Sequence, residues 1–163
     1  MSRPLLLVDV DGVLSLFGTG DGDLIGVLVD GVPHLLSRAA AAALRGAAER
    51  FECVWCTGWD ERADENLPRL LDLPRGWPHV PLGSPAAGPH WKLAGIDAYA
   101  GPTRPLAWID DNHGAAGEEW AASRPGPTLL VPTEPHIGMT EAHARTLRAW
   151  AADVAPAEPS SAA

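Results

Sequence analysis

Two aspartate pairs carry the first chemical signal. Asp9 and Asp11 stand in Asp9-Val10-Asp11-Gly12, Asp110 and Asp111 are adjacent, and each pair follows a short apolar run. If the pairs meet, four carboxylates stand together, and without a cation they repel one another and raise some of their own pKa values. A hard divalent ion relieves that repulsion. Mg²⁺ takes oxygen ligands in octahedral geometry and keeps waters and a substrate phosphate oxygen among them. One carboxylate of such a set can attack phosphorus. A second, two residues on, can protonate the leaving group, while the ion offsets charge on the phosphoryl group. Alone, Asp-Val-Asp-Gly also reads as an ordinary turn after a strand; the second aspartate pair is what favours chemistry.

Two further pieces suit the same chemistry. Thr57-Gly58 follows another apolar run and offers a hydroxyl and an unhindered backbone N–H, a cradle for phosphate oxygens that a ligand can approach closely. The same dipeptide also fits an ordinary strand-to-helix loop with Thr57 as the N-cap. The chain has eleven Arg and a single Lys, Lys92. Where Arg serves for surface charge, one lysine ahead of a short helix suits a positioned ammonium that meets both a phosphate and the Asp9 carboxylate.

These residues must be positioned by strands that end together. Pro4–Asp9, Glu52–Thr57 and Pro105–Ile109 are apolar runs suited to strands buried on both faces, as in a parallel sheet. Thr128–Val131 is a fourth run and Val80–Leu82 a shorter one, giving an expected five strands. Helices are predicted at Leu35–Arg50, Asp60–Leu71 (kinked or ended by Pro68), Trp91–Tyr99, Ala115–Ser123, and from Thr140, as N-cap, to about Val154. Residues 14–33 are glycine-rich, with Leu24–Val29 leading into Asp30-Gly31, a hairpin signal for a β-flap beside the first strand. Residues 83–90 form a Gly/Pro loop. Alternating strands and helices predict a three-layer Rossmann-like α/β domain over 1–154, with a disordered tail at 155–163. Ligands of such sheets bind beyond the carboxyl ends of the strands, where Asp9, Thr57 and Asp110 all fall.

Other candidates are weaker. Cys53 and Cys56 are spaced as CxxC, but positions i and i+3 of a strand face opposite sides, so buried structural thiols are expected rather than a metal or redox pair. His113 follows the second aspartate pair and could sit at the site's rim. His34, His79, His90, His136 and His143 show no ligand spacing. Of seven Trp, Trp59 and Trp91 adjoin the motifs. Trp59 could stack on a base or pack inside, Trp91 is expected to pack, Trp55, Trp108, Trp120 and Trp150 fall on apolar faces, and Trp77 has no assignment.

Composition bounds the class. The chain has 163 residues, 46% hydrophobic and 20% charged, with net charge −9, which suits one globular domain. The acidic balance disfavours non-specific nucleic-acid binding without excluding a local basic cleft, and the arginines form no run. No apolar stretch is long enough to span a membrane, and the N-terminus is too short and too soon acidic for a signal peptide, so a cytoplasmic protein with no membrane partner is expected. Self-association is left open.

In this order, Asp9-Val10-Asp11-Gly12-Val13, Thr57-Gly58, Lys92 and Asp110-Asp111 resemble the four motifs of the haloacid-dehalogenase superfamily, over roughly residues 4–131. Trp55-Cys56-Thr57-Gly58-Trp59, Trp91-Lys92-Leu93 and Trp108-Ile109-Asp110-Asp111 look like its small capless branch fused to RNA-repair enzymes. The resemblance implies a Mg²⁺-dependent phosphatase. Asp9 would be the nucleophile that becomes an aspartyl-phosphate, and Asp11 the general acid and then base. Asp9, the Val10 carbonyl, Asp11 and Asp110 would gather the metal. Thr57 and Lys92 would hold phosphoryl oxygens, and Asp111 would orient Lys92 or a metal-bound water; Gly58 and Trp59 remain substrate-contact candidates on the residue-level reading above. One departure stands out: where those relatives carry Glu-x-x-Ala-Asn after the Trp, this chain has Asp64 in the Asn position. The gaps between motifs leave no room for a cap, so an open site is expected, suited to a polynucleotide end, a phosphoprotein, or a lid from another subunit. A non-catalytic binding module on the same scaffold and a phosphotransferase with an acceptor other than water are the alternatives.

Overall fold

The computed structural model describes residues 2–18, 22–88 and 90–155. The expected tail from residue 156 onward, and residues 19–21 of the expected flap, lie outside that range. Four parallel strands form the main sheet: β1 (Leu5–Val8), β5 (Glu52–Trp55), β6 (Leu106–Asp110) and β7 (Thr128–Pro132), in the order β5-β1-β6-β7. β1 is central, paired with β5 on one side and β6 on the other. That explains its uninterrupted Leu-Leu-Leu-Val run, buried throughout.

Side-chain alternation divides the interior in two. Leu6, Val8, Cys53, Trp55, Ala107 and Ile109 face one core, which helices α1 (Arg38–Ala48), α2 (Glu61–Leu71) and α5 (Glu141–Val154) cover with Ala40, Leu44, Leu67, Ala144 and Leu147. Leu5, Leu7, Val54, Cys56, Leu106 and Trp108 face the other, under α3 (Leu93–Ala100) and α4 (Gly114–Ser123). Cys53 and Cys56 thus lie in different cores, and both are free thiols. The layering is the expected helix–sheet–helix arrangement, and no helix of the described residues is long and apolar enough to cross a membrane.

A second, antiparallel sheet forms the flap: β2 (Ser15–Leu16), β4 (Val32–Ser37) and β3 (Leu24–Val29), in the order β2-β4-β3. Asp30 and Gly31 both have positive φ, 49° and 79°, which closes the β3–β4 hairpin in two residues with the twist that strands favour. The flap runs further than the sequence suggests. Leu35 and Leu36 pair with Leu16 and Ser15, so α1 starts only at Arg38, where the Ser37 hydroxyl caps it by accepting from Ala40 N. Cross-strand pairing here outweighs the helix propensity of the residues that follow.

Two other expectations need correction. Val80–Leu82 is not a strand, so the parallel sheet has four strands rather than five. Trp55 N donates to Pro78 O and Val80 N to Trp55 O, and pairing stops there at a single bridge between Trp55 and His79. Pro78 and Pro81 have no N–H with which to extend the ladder. Pro68 does not end α2, which continues to Leu71 and closes on Asp72 in the left-handed conformation. At the far end, Thr140 caps α5 as expected, with His143 Nδ1 accepting from Thr140 N in return.

Candidate active site

All the polar strand ends open at one edge of the parallel sheet. β1 delivers Asp9, β6 ends on Asp110, β5 is followed by Cys56 and Thr57, and the turn before α3 brings Lys92. Thr133, just past β7, braces this edge: its hydroxyl donates to Gly12 O at 2.7 Å and its amide to Asp110 O at 3.1 Å.

Lys92 is the hub. Its Nζ lies 3.1 Å from Asp9 Oδ1 and 2.6 Å from Asp110 Oδ2, and donates to Cys56 O at 2.9 Å. Asp9, Asp110 and Lys92 are 6%, 2% and 5% exposed, so the ion pairs are sealed from bulk water. Burial works against the Lys92 ammonium, but Asp9 and Asp110 outweigh it, and its pKa ends above the usual lysine value. Burial pushes the Asp9 carboxyl well up; Lys92 opposes the shift and Asp110 adds to it. Asp111 is pushed up to about 6, by burial first and the Asp110 charge next. One ammonium among these carboxylates leaves negative charge in surplus.

Asp9, Asp110 and Asp111 can each bring one oxygen within 4.8 Å of the others, close enough to share one ion. All three donors are hard carboxylate oxygens. Two of the expected ligands need revision. The Val10 carbonyl is turned into its own loop, where it accepts from the amides of Val13, Leu14 and Ser15, so it has no lone pair facing the aspartates. The Asp11 carbonyl accepts no backbone amide among the described residues. The Asp11 side chain also stays apart from the cluster: its Oδ2 accepts from the Trp59 indole N–H at 3.0 Å. Asp111 takes its place among the side-chain donors.

Gly12 makes this packing feasible. Its φ is +79°, and a Cβ there would lie 2.4 Å from the Asp111 carboxyl. Asp110 is steadied by the Asn112 amide, which donates to its Oδ1 at 2.9 Å.

The loop after β5 supplies the other wall. Thr57, 1% exposed, accepts from Trp59 N through its hydroxyl at 3.2 Å, leaving its own O–H to donate. Gly58 has no left-handed backbone, and among the described residues a Cβ there would meet only the Trp91 ring, at 3.6 Å. Neither conformation nor packing demands glycine at that position.

The aromatic residues divide differently from expectation. Trp59 is 6% exposed, with its ring centroid 4.6 Å from that of His34, so it has no open face for a substrate base. Trp91, expected inside, is only partly buried and stands at the rim beside Gly58, with Lys92 Nζ 5.7 Å from its ring centroid. Trp55 and Trp108 are fully buried, while Trp120 and Trp150 are partly so. Trp77 packs on Trp55 at 5.0 Å. His113 is not at the rim: it is buried beneath Trp108, its Nε2 is 3.0 Å from Trp108 O, and burial lowers its pKa.

Asp64 belongs to the scaffold. It accepts from Trp55 Nε1, Gly76 N and Trp77 N, which ties α2 to the loop leading to the His79 bridge. Asn66 bonds to Arg62 O on the exposed side of α2.

Sequence reasoning missed His34. It lies on the flap strand β4 with Nδ1 3.0 Å from Ser15 Oγ and 3.9 Å from Asp11 Oδ1. No spacing in the sequence links residues 11, 34 and 59; only the fold of the flap over the loop after β5 does. No family model matches this chain, and no curated protein matches it.

Proposed function

We propose that this chain is a Mg²⁺-dependent phosphomonoester hydrolase of the haloacid-dehalogenase type, working through an aspartyl-phosphate. The observation that carries this reading is Lys92 Nζ held between Asp9 Oδ1 and Asp110 Oδ2, at 3.1 and 2.6 Å, in a buried setting at the strand ends. A structural ion pair needs one carboxylate. Three converging acids beside one ammonium suit a site built for a cation and a phosphate.

In this reading the Asp9 carboxylate attacks phosphorus, and the P–O bond to the leaving group breaks as Asp11 gives that oxygen a proton. Water then attacks the aspartyl-phosphate, Asp11 accepts its proton, and the bond between phosphorus and the Asp9 oxygen breaks to release phosphate. Lys92 and the Thr57 hydroxyl hold the phosphoryl oxygens, and Gly58 leaves room beside them. Mg²⁺, held by Asp9, Asp110 and Asp111, would offset phosphoryl charge. Asp11 keeps 44% of its side chain exposed, and between Gly12 and Lys92 the described residues hold only the flap, α1, β5, α2 and loops. The leaving group therefore meets solvent rather than a cap, which suits a bulky phosphomonoester.

The test is phosphate release from p-nitrophenyl phosphate and a panel of phosphomonoesters, with and without Mg²⁺, by the wild type and Asp9→Asn. Turnover that needs Mg²⁺ and disappears in a folded Asp9→Asn protein is expected. A wild type inert across the panel, or Asp9→Asn at full rate, overturns the reading.

A further inference from the structure

We propose that Trp59 is a positioning residue, whose indole N–H fixes the Asp11 carboxylate so that Oδ1 is the oxygen that exchanges the proton. This inference rests on the hydrolase reading above. Asp11 lies beyond the end of β1 with 44% of its side chain exposed, a setting in which an aspartate ordinarily samples several rotamers. The restraint comes from Trp59, whose only side-chain donor is spent on Asp11 Oδ2 at 3.0 Å.

That donor is itself held from three sides. The Trp59 ring is buried in the core beneath the flap, its amide donates to Thr57 Oγ1, and its ring packs on His34. His34 is in turn bound to Ser15 Oγ at 3.0 Å and approaches Asp11 Oδ1 no closer than 3.9 Å. Among the described residues Oδ1 therefore has no hydrogen-bond partner, whereas Oδ2 has one. The two oxygens of one carboxylate are made unequal, and the unbonded one is left for proton transfer.

The local chain couples the two sides of the reaction. Thr57, Gly58 and Trp59 form one turn, so the segment that offers a hydroxyl to the phosphate also aims the acid at the leaving group. A buried indole whose N–H served packing alone would need only a backbone carbonyl. Here it meets a carboxylate two residues from the nucleophile.

The consequence depends on the leaving group. Misplacing a reacting group by about 1 Å is worth roughly 10²-fold in rate, but only where that group is needed. An alkoxide needs its proton as the P–O bond breaks, whereas p-nitrophenolate departs without one. The experiment compares the wild type with Trp59→Phe and with benzothienylalanine incorporated at position 59, which keeps the fused ring and lacks the N–H. kcat/KM, which reports the steps through P–O cleavage, is measured with Mg²⁺ on p-nitrophenyl phosphate and on an alkyl phosphate.

For both replacements a loss of roughly 10- to 100-fold on the alkyl ester is expected, and of no more than about 3-fold on the aryl ester. In an Asp11→Asn background the same replacements should add no further loss. Should Trp59→Phe fail to fold, the isosteric replacement decides alone. Equal losses on both esters, no loss on either, or a loss that adds to Asp11→Asn overturns the inference and leaves the hydrolase reading standing. A wild type that cleaves neither ester overturns both.

Discussion

Lys92→Met removes the ammonium shared by Asp9 and Asp110 while keeping most of the aliphatic stem. The side chains of Lys92, Asp9 and Asp110 are 6%, 8% and 3% exposed, so the energetics are those of a buried pair and not of a surface one. At 3.1 and 2.6 Å and an effective dielectric of ~20, the two attractions are about 5 and 6 kcal/mol gross. Desolvation of all three groups offsets much of that. Deleting one partner of such a set leaves the others charged and unpaired, with a net loss of about 3–5 kcal/mol. For a chain of this size that lowers Tm by roughly 6–20 °C.

The pH dependence of this loss has a definite sign. Burial already raises the Asp9 pKa, and Lys92 is the group that pulls it down. Without Lys92 the folded state holds the Asp9 proton more tightly than the unfolded chain does. Stability then falls as pH rises through the folded pKa and is regained as pH drops. The gap in Tm between wild type and Lys92→Met should therefore narrow as the pH is lowered from neutral toward the range in which an unfolded aspartate takes up its proton. Thermal unfolding followed by circular dichroism across that range checks it. A variant as stable as wild type at neutral pH, or a gap that widens on acidification, would refute the reasoning.

Gly58→Ala should fold with an unchanged Tm, because among the described residues a Cβ there meets only Trp91 at an ordinary 3.6 Å. Its kcat/KM should nevertheless fall by 10-fold or more, on the order of one lost oxyanion contact, and an unchanged rate would remove Gly58 from the phosphate cradle. Cys53 is pushed up to about 12 by burial, and Cys56 is raised further for the same reason. Neither thiol should react with iodoacetamide in the native protein at about pH 8, and both should once it is unfolded; rapid native alkylation would contradict their burial. Asp64→Asn should lower stability by about 1–3 kcal/mol, since it replaces a charged acceptor of three N–H groups, yet leave kcat unchanged. A loss of kcat at full stability would place Asp64 in the chemistry.

The parts of this fold legible in the sequence are those set by local pattern. The unbroken apolar run of Leu5–Val8 marks a central strand, and Asp30-Gly31 specifies its own turn through two positive φ angles. Period-two alternation separates Cys53 from Cys56. The convergence of Asp9, Lys92 and Asp110 follows from parallel strands ending at one edge. What was not legible depends on partners distant in sequence, or on how a turn or a proline-bounded stretch uses its own backbone groups. Leu35 and Leu36 read as helix until Ser15 and Leu16 lie beside them. Val80 reads as strand until the prolines around it are seen to end the ladder. Trp59 fits a stacking ring or a core residue equally well until the flap covers it, and the Val10 carbonyl, a ligand by family resemblance, is claimed by three amides of its own turn. His34 carries no signal in the sequence at all, because its role is defined only by the hairpin that brings it to Asp11.

The most direct test of the central claim is to capture the phosphorylated enzyme. The Asp11→Asn protein, which lacks the base for the second step, is mixed with p-nitrophenyl phosphate and Mg²⁺, quenched in acid and reduced with borohydride before peptide mass analysis. Homoserine at position 9 is expected, formed by reduction of an aspartyl-phosphate on Asp9. An Asp9 peptide left unmodified while p-nitrophenol is released, or homoserine at another aspartate, would contradict Asp9 as the group that attacks phosphorus.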